Sequence, residues 1–385
     1  MNKNSVIVVT GAAGFIGSYF TGYLNRKGYE NLLLVDEFDD ETKELNLLGK
    51  KWMARVERDN LIDWLSTERP DVDFFFHLGA RTDTTEFDYS IHEKLNVEYS
   101  KDVWNYCTYH TIPLIYASSA ATYGAGELGY KDDHDMVEKL RPLNPYGVSK
   151  NEFDKWAILQ SQKSKAKSQN TALTIDDSRF TPDRQSASGS GTSDSRLTTH
   201  DSRLQNPPFW AGLKFFNVYG PNEYHKDRMA SVVFHAFKQI QATGKVKLFR
   251  SHRPDFKDGE QLRDFIYVED VAKVMFWMMQ QFGNQKTDVR RQTSDHRAPT
   301  SGIYNLGTGK ARTFNDLVCA IYQSLGLHSQ IEYIDTPQDI RENYQYFTEA
   351  DMTKLSSAGF KELFYSLEKG VEDYVQKFLS ERKYY

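Results

Sequence analysis

Tyr146 and Lys150 are the two side chains whose types and spacing predict chemistry most directly in this sequence. They open a predicted helix, and a spacing of four residues places both side chains on one helix face. A phenol ionises only near pH ~10, but an adjacent ammonium group favours the phenolate and lowers that pKa. Tyr146 is therefore a candidate for exchanging a proton with an alcohol group.

Ser118 and Ser119 directly follow a predicted strand, Pro113 to Ala117. Ligands of open α/β sheets bind at the carboxyl ends of the strands, so these two hydroxyls fall where a substrate would lie. A serine in that place can orient the same alcohol oxygen that Tyr146 deprotonates. Ser119, Tyr146 and Lys150 together form the candidate catalytic set.

A glycine-rich turn at residues 10–17, Thr-Gly-Ala-Ala-Gly-Phe-Ile-Gly, joins a predicted strand to a predicted helix. Gly11, Gly14 and Gly17 would let the backbone approach a pyrophosphate held at the helix N-terminus. Asp36 lies about 20 residues further on, at the end of the second apolar strand, where a carboxylate binds a ribose hydroxyl. The combination predicts a dinucleotide cofactor, whose positively charged nicotinamide would further favour a tyrosine phenolate.

Short apolar strands alternate with helical segments through the first half of the chain, as in Val6 to Thr10 followed by Phe15 to Lys27. Strands that are apolar throughout, such as Leu32 to Val35, indicate a parallel sheet covered by helices on both faces. We therefore predict an α/β protein, with a doubly wound parallel Rossmann sheet and a smaller mixed α/β substrate-binding lobe.

Two polar stretches interrupt this pattern, at residues 161–208 and 283–301. They are rich in Ser, Thr, Gln, Asp and Arg and have few large apolar side chains, so they cannot pack a core and are predicted to be disordered insertions. The dinucleotide-binding Rossmann domain is expected to comprise residues 1–160 with 209–220 and part of 262–282, and the substrate-binding lobe residues 221–262 and 302–385.

The composition excludes several classes of function. The 385 residues carry 48 Lys and Arg against 53 Asp and Glu, a net charge of −5 that offers no basic field for nucleic acid. Cys107 and Cys319 are too few for a disulfide framework or a cysteine-rich metal site, and no metal is expected. No stretch approaches the ~20 apolar residues that span a bilayer. We expect a cytoplasmic enzyme and a homo-oligomer.

Four longer motifs carry a resemblance to a known family. They are Ala-Ser-Ser-Ala-Ala-Thr-Tyr-Gly at 117–124, Phe-Asn-Val-Tyr-Gly-Pro at 216–221, His-Lys at 225–226 with Met-Ala-Ser at 229–231, and Arg-Asp-Phe-Ile-Tyr-Val at 263–268. With them, most of the chain outside the two insertions resembles the extended short-chain dehydrogenase/reductases, the NAD-dependent epimerase/dehydratase family. The resemblance implies a nucleotide-sugar epimerase that acts on ADP-heptose at C6 with bound NADP, supplying heptose for the lipopolysaccharide core.

The resemblance also implies roles for individual residues. Lys226 matches a second acid/base lysine that faces Tyr146 across the substrate. The positions implied to bind the cofactor are Gly11, Gly14, Phe15, Ile16, Gly17, Asp36, Glu37, Lys43, Arg58, Leu78, Gly79, Ala80, Arg81, Thr82, Asn96, Lys150 and Val218. Those implied to bind the nucleotide sugar are Asn217, Arg228, His235, Phe249, Arg250, Ser251, His252, Arg263 and Tyr344.

The sequence departs from the family pattern at the substrate positions. Arg228 stands where a small serine is usual, residues 250–252 replace a more acidic loop, and residues 253–261 form a longer connection than usual. The residues near the predicted ribose position also favour different cofactors. A carboxylate at Asp36 repels a 2′-phosphate and favours NAD, whereas nearby lysine and arginine side chains offset that charge, and the family leans to NADP.

Two other functions fit the same scaffold. A UDP-sugar 4-epimerase would use the same serine, tyrosine and lysine, whereas a 4,6-dehydratase carries an Asp-Glu pair where this chain has Ala120 and Ala121. A noncatalytic dinucleotide sensor is disfavoured because Ser119, Tyr146 and Lys150 are all present. We therefore expect epimerisation by transient oxidation of a secondary alcohol to a ketone, followed by reduction on the other face.

Overall fold

A seven-stranded parallel sheet forms the centre of the computed structural model, which describes residues 1–84, 86–175, 206–286, 298–341 and 344–385. The strands of the chain are Val6–Thr10 (β1), Leu32–Asp36 (β2), Ala54–Glu57 (β3), Val72–His77 (β4), Leu114–Ser119 (β5), Trp210–Phe215 (β6), Asn217–Tyr219 (β7), Val246–Phe249 (β8), Leu262–Arg263 (β9), Phe265–Tyr267 (β10), Gly302–Leu306 (β11), Arg312–Thr313 (β12) and Ile331–Ile334 (β13).

The α-helices are Phe15–Arg26 (α1), Glu41–Glu44 (α2), Leu61–Glu68 (α3), Tyr89–His92 (α4), Tyr99–Tyr109 (α5), Pro145–Ile175 (α6), Val232–Thr243 (α7), Val268–Lys286 (α8), Phe314–Ser324 (α9), Gln338–Arg341 (α10), Thr353–Ser357 (α11) and Leu367–Tyr374 (α12). A π-helical turn, Glu93–Glu98, joins α4 to α5. Within the described ranges, no helix has the length and apolar character needed to cross a membrane.

The order of the central sheet is β11-β6-β5-β4-β1-β2-β3, and all its neighbouring strands run parallel. Alternate residues of β1 point to opposite faces, so Ile7 and Val9 join one apolar core while Val8 joins the other. The first core is closed by α1 and α8, and the second by α3, α5 and α6. The predicted doubly wound Rossmann architecture is confirmed.

The chain order reverses at β1, which pairs with β2 on one side and with β4 on the other. Connections from the carboxyl ends of β1 and β4 therefore leave to opposite sides and open a crevice between them. Such a switch point is where open α/β sheets bind ligands. It lies directly beside the glycine-rich turn of residues 10–17.

A smaller mixed lobe is built from three two-stranded sheets, β7 with β10, β9 with β12 and β8 with β13. Helices α7, α9 and α12 pack around them, and Leu317, Ile321 and Val371 belong to the same apolar core as one face of the central sheet. The lobe and the Rossmann sheet therefore share a continuous core on that side, which fixes the lobe beside the crevice.

Three of the expected domain boundaries differ from the structure. The second polar insertion is expected to begin at residue 283, but α8 continues to Lys286. The sequence assigns residues 302–306 to the substrate lobe, but they form β11, an edge strand of the central sheet that pairs in parallel with β6. The polar insertion is expected to begin at residue 161, but α6 continues to Ile175. No glycine or proline interrupts residues 161–175, and lysine, glutamine and alanine favour helix there. The remaining insertion residues, 176–205 and 287–297, lie outside the described residues.

Candidate active site

A cleft of about 560 Å³ opens at the carboxyl ends of β1, β2 and β4. It brings together most of the residues predicted to bind the cofactor. The predicted residues that line it are Gly11, Gly14, Phe15, Ile16, Gly17, Asp36, Glu37, Lys43, Arg58, Leu78, Gly79, Ala80, Arg81, Thr82, Lys226 and Arg228.

The turn after β1 packs backbone against backbone, which requires its glycines. A Cβ on Gly17 would lie 2.0 Å from the carbonyl oxygen of Gly11, so α1 starts in direct contact with the turn. Gly11 has a φ of +67°, and a Cβ there would lie 2.7 Å from the backbone of Gly79 on the other side of the crevice. The free N–H groups at the start of α1 are thereby presented to the cleft, where they can bind a pyrophosphate.

Asp36 at the end of β2 holds the turn in place as well as facing the cleft. Its Oδ2 accepts a hydrogen bond from the backbone N–H of Ala13 at 2.8 Å, and its Oδ1 accepts one from that of Glu37 at 2.8 Å. Lys43 Nζ lies 3.2 Å from the same Oδ1, and Arg58 lies 3.3 Å from Glu37. Two cations therefore stand beside the predicted ribose position, and one of them neutralises the Asp36 carboxylate.

The opposite wall of the cleft, residues 78–82, is positioned by a buried hydrogen-bond network. Thr10 Oγ1 accepts from the Gly79 N–H at 3.1 Å and pairs with His77 Nδ1 at 2.8 Å, while His77 Nε2 lies 2.9 Å from Ser100 Oγ. Burial lowers the pKa of His77 to about 3, so the imidazole is neutral and serves as a fixed link between the two hydroxyls.

Asn96 has a different place from the one expected. Its side chain is fully buried behind the wall, where Oδ1 accepts from the Arg81 N–H at 2.8 Å and Nδ2 donates to the Arg81 carbonyl at 3.0 Å and to Ser149 Oγ at 3.0 Å. Because these hydrogen bonds all join the Asn96 amide to other protein groups, Asn96 shapes the wall and does not line the cleft.

Ser119 and Tyr146 are brought together by the meeting of β5 and α6. Burial raises the pKa of Tyr146, and a hydrogen bond with the Ser119 hydroxyl opposes that rise. Asn144 accepts a hydrogen bond from the Gly147 N–H at 2.8 Å and so caps the start of α6 just where the tyrosine is presented. The Ser119 hydroxyl therefore lies close enough to influence the Tyr146 pKa, and burial favours the neutral phenol.

Lys150 lies one turn further along α6 and is almost completely buried. Its Nζ donates to the carbonyl of Ala117 at 2.8 Å, directly before the two serines. Burial lowers the pKa of Lys150 to about 8, and the Asp154 carboxylate opposes that change. The sequence predicts that Lys150 lowers the pKa of Tyr146, but its ammonium is directed at a strand carbonyl, and burial dominates the titration of the phenol.

Lys226 enters the cleft from the lobe, on the irregular turn Tyr224–Met229. Its Nζ lies 5.2 Å from the ring centre of Phe15, which belongs to the cofactor-binding turn. Burial lowers the pKa of Lys226, and the Glu223 carboxylate opposes the change. The next residue, Asp227, has a φ of +43°, a strained conformation for a residue other than glycine. A strained turn thus presents a second titratable amine to the cleft.

Four of the predicted substrate residues form a separate cluster in the lobe. Tyr344 lies 6.0 Å from Phe249 and 6.3 Å from His252 between ring centres, and the Arg263 guanidinium lies 5.5 Å from the Tyr344 ring centre. Arg263 is nearly buried and donates to the Leu262 and Gln345 carbonyls, so it is held in place. The cluster offers aromatic faces and a fixed cation, which suit a nucleotide with its phosphates.

The other predicted substrate residues are placed apart from that cluster. Arg228 lines the cofactor cleft and pairs with Asp83 at 3.3 Å, so it does not join the cluster in the lobe. Arg250 pairs with Asp335 at 3.3 Å and is half exposed. His235 lies within α7. The ring and cation contacts described above for the cluster involve none of these three side chains.

Three of the predicted residues remain, namely Ser251, Asn217 and Val218. The Ser251 hydroxyl donates to the Arg253 carbonyl at 2.8 Å. Asn217 lies in β7, and its N–H donates to the Asp264 carbonyl at 3.1 Å. Val218, also in β7, pairs with Ile266 of β10 and does not line the cleft.

Sequence reasoning missed Tyr346, whose hydroxyl lies 2.9 Å from His252 Nδ1 and accepts from the His252 N–H at 2.9 Å. It also missed His225, whose ring lies 3.1 Å from the Asn46 amide and whose pKa is lowered to about 4 by burial. The only signal for His225 was its position beside Lys226, and the only one for Tyr346 was its spacing of two from Tyr344 in an extended segment.

A family model described as the NAD dependent epimerase/dehydratase family matches residues 7–172 and 198–307. Curated relatives include an ADP-L-glycero-D-manno-heptose-6-epimerase from Fusobacterium nucleatum, 40% identical over 99% of this chain and 100% of that protein. One of the same name from Nitratidesulfovibrio vulgaris strain Hildenborough is 40% identical over 97% of this chain and 98% of that protein.

Solved structures agree with this fold. The crystal structure of Helicobacter pylori ADP-L-glycero-D-manno-heptose-6-epimerase is 26% identical, covers 97% of this chain and 96% of its own, and gives a TM-score of 0.67. The complex of Thermus thermophilus UDP-glucose 4-epimerase with NAD is 21% identical over 96% of this chain and 97% of its own, with a TM-score of 0.63. The second likeness is one of fold.

We predict that Gly17→Ala weakens dinucleotide binding about tenfold or more, because the new Cβ forces α1 away from the Gly11 carbonyl. The control is Gly22→Ala on the same helix, where the nearest atoms to a Cβ belong to the side chains of Lys50 and Tyr385 and not to the backbone. Fluorescence titration with NADPH should show the control within about twofold of the native protein. Equal affinities of the two variants would contradict the backbone contact.

Proposed function

The chain belongs to the NAD dependent epimerase/dehydratase family, and from that premise we propose that it interconverts ADP-D-glycero- and ADP-L-glycero-D-manno-heptose at C6. The observation that carries the proposal is the full-length similarity to 6-epimerases of ADP-heptose, at 40% identity over 99% of the chain. The activity is an isomerisation, and it would supply heptose for lipopolysaccharide.

A nicotinamide dinucleotide is the cofactor class of the family, and the residues of the cleft fit it. The turn after β1 leaves no room for a Cβ at Gly17 and presents N–H groups to a pyrophosphate, while Asp36 and two cations stand at the ribose. When bound, such a cofactor supplies an acceptor for the hydride of the alcohol carbon and returns the hydride later, so no external oxidant is needed.

Tyr146 takes the proton of the sugar alcohol as the ketone forms and returns it when the alcohol is restored. Ser119, hydrogen-bonded to Tyr146, holds the same substrate oxygen. Lys150 keeps its ammonium against the Ala117 carbonyl and fixes the strand end that carries the serines. A buried phenol is a poor base by itself. The positive charge of a bound oxidised nicotinamide would favour the phenolate form of Tyr146.

Inversion at a carbon requires proton exchange with the alcohol in two orientations. Lys226 lies on a different element from Tyr146, and burial lowers its pKa toward the range in which an amine exchanges protons near neutrality. The two groups would serve the two epimers. The two positions after Ser119 hold Ala120 and Ala121, which begin a 3-10 turn, where a dehydratase has an Asp-Glu pair. The lack of these carboxylates disfavours elimination of water.

The sharpest test of the proposed substrate is direct. Purified protein is incubated with ADP-D-glycero-D-manno-heptose, UDP-glucose or UDP-N-acetylglucosamine, and the sugar epimers are resolved by NMR. We expect epimerisation of the ADP-heptose alone, with no net change in the cofactor. Turnover of a UDP-sugar in place of the ADP-heptose would assign a 4-epimerase instead.

We predict that Tyr146→Phe lowers kcat for epimerisation by about 10²- to 10⁴-fold, because the proton acceptor is lost while the ring still packs. Binding of NADPH should be retained. Tyr106→Phe on α5 is the matched control, since it removes a partly buried phenol hydroxyl away from the cleft. Comparable kcat values for the two variants would remove Tyr146 from the mechanism.

We predict that Lys226→Met lowers kcat about 10²-fold in at least one direction, because one epimer loses its proton-exchanging group. The matched control is Lys238→Met on α7, whose amine also lies 5.2 Å from an aromatic ring centre, that of Phe234. Forward and reverse rates are measured from each pure epimer. Native rates in both directions would exclude Lys226 as the second base.

We propose NADP as the preferred cofactor, because Lys43 and Arg58 line the cleft beside Asp36 and can pair with a 2′-phosphate. Arg58→Ala is then expected to weaken NADPH binding about tenfold and to leave NADH binding unchanged. Arg55→Ala is the control, since Arg55 pairs with Glu44 at 2.8 Å outside the cleft lining. Tighter binding of NADH than NADPH to the native protein would mean that Asp36 determines the choice.

A further inference from the structure

We propose that the buried ion pair between Asp154 of α6 and Lys214 of β6 is a positioning device for the catalytic groups Ser119 and Lys150. Neither residue touches the cofactor cleft, and neither has a role in the reaction proposed above, on which this inference rests. Both side chains are buried, at 0% and 1% exposure, and Lys214 Nζ lies 2.7 Å from Asp154 Oδ2.

Asp154 ties together three elements that meet beneath the site. Its Oδ1 accepts from the Tyr116 hydroxyl at 2.9 Å, and its Oδ2 accepts from the Ser118 hydroxyl at 2.7 Å as well as from Lys214. Tyr116 and Ser118 lie on β5, so the carboxylate pins the strand end that carries Ser119 against α6. The spacing of four residues places Asp154 on the same helix face as Lys150.

Lys214 reaches the other side of the same strand end. Its ammonium donates to Thr122 Oγ1 at 2.6 Å, and the Thr122 hydroxyl in turn donates to the carbonyl of Ser119 at 2.8 Å. The ion pair therefore fixes Ser119 from both directions, through Ser118 on one side and through Thr122 on the other. A displacement of about 1 Å in such a group costs about 10²-fold in rate.

Asp154 also acts on the charge of Lys150. The titratable groups that interact with the Lys150 amine are Asp154 on its own helix and His77 on β4. The Lys214 ammonium on β6 pairs with the same Asp154 carboxylate. His77 is neutral and the Tyr146 phenol is protonated, so Asp154 is the negative charge that opposes the effect of burial on the pKa of Lys150. Without that charge, Lys150 would lose its proton at a lower pH.

Energetics support a functional reason for the pair. Lys214 is the single charged residue in β6, whose other members, from Trp210 to Phe215, are apolar or glycine. Burying two charges is costly, and an apolar replacement of similar volume is often neutral or stabilising. This pair is hydrogen-bonded to Ser118, which precedes the catalytic serine, and to Thr122, which bonds the carbonyl of that serine. The geometry that it imposes explains it better than a gain in stability.

The test uses the full chain with Asp154→Asn and Lys214→Met combined, so that no unpaired charge is left buried. Titration of the Lys150 side chain is followed by NMR of 13C-labelled lysine, with Lys150→Met used for assignment. We expect the Lys150 midpoint, and the alkaline limb of the kcat profile for ADP-heptose, to move to lower pH. We expect kcat to fall about tenfold or more, with KM changed less than about threefold.

Thr122→Val separates the positional effect from the charge. It breaks the link between Lys214 and the Ser119 carbonyl but keeps the ion pair, so kcat should fall while the alkaline limb stays at its native pH. A matched control is Asp270→Asn with Lys273→Met, a pair at 2.9 Å on α8, away from the cleft. The control should leave both the Lys150 titration and kcat unchanged.

The outcomes are distinct from those of the proposed function. If the native protein does not epimerise ADP-heptose but the Lys150 midpoint still shifts in the double variant, the substrate assignment is wrong and the charge effect on Lys150 stands. If the native protein is active and the double variant keeps the native midpoint and alkaline limb, the inference is overturned. Native kcat in Thr122→Val would equally reject the positional link.

Discussion

Close backbone packing between the turn after β1 and the segment after β4 is the constraint on which the rest of the site depends. Gly11 lies against Gly79 across the crevice, and Gly17 lies against Gly11 along the chain. These two contacts set where α1 begins and how far the opposite wall stands from it. The hydrogen bond from the Gly79 N–H to Thr10 then joins the end of β1 to the opposite wall of the cleft. Phe15, placed by these contacts, meets the amine of Lys226 from the lobe.

A second regularity is that Tyr146, Lys150 and Lys226 each have a partner that opposes the effect of burial on the pKa. Burial raises the pKa of Tyr146 and Ser119 opposes it, while burial lowers the pKa of Lys226 and Glu223 opposes it. Burial alone would favour the neutral form of each group and so reduce its ability to change protonation state. The partners limit how far burial moves each pKa, which favours proton exchange.

The parts of the site that could be predicted from sequence are those fixed by local spacing. The glycine turn and Asp36 each depend on a few consecutive residues, and both line the cleft as the spacing implies. Tyr146 and Lys150 lie at the start of α6 as predicted, but the lysine is directed at the Ala117 carbonyl. The parts that could not be predicted depend on which strands become neighbours. Lys214 pairs with Asp154 only because β6 lies beside β5, and nothing in the sequence around either residue specifies that contact.

The return of the chain to the central sheet at β11 has a consequence for how the protein is made. β11 pairs with β6, and the first part of the lobe, including α7, is synthesised between the two strands. Until residue 306 leaves the ribosome, the apolar strand Trp210–Phe215 is a bare sheet edge, which is the kind of surface that recruits other chains. Pairings of such high sequence separation form slowly. The nascent chain is therefore most exposed to misassembly while its lobe is emerging, and a chaperone that covers this edge would act in that interval.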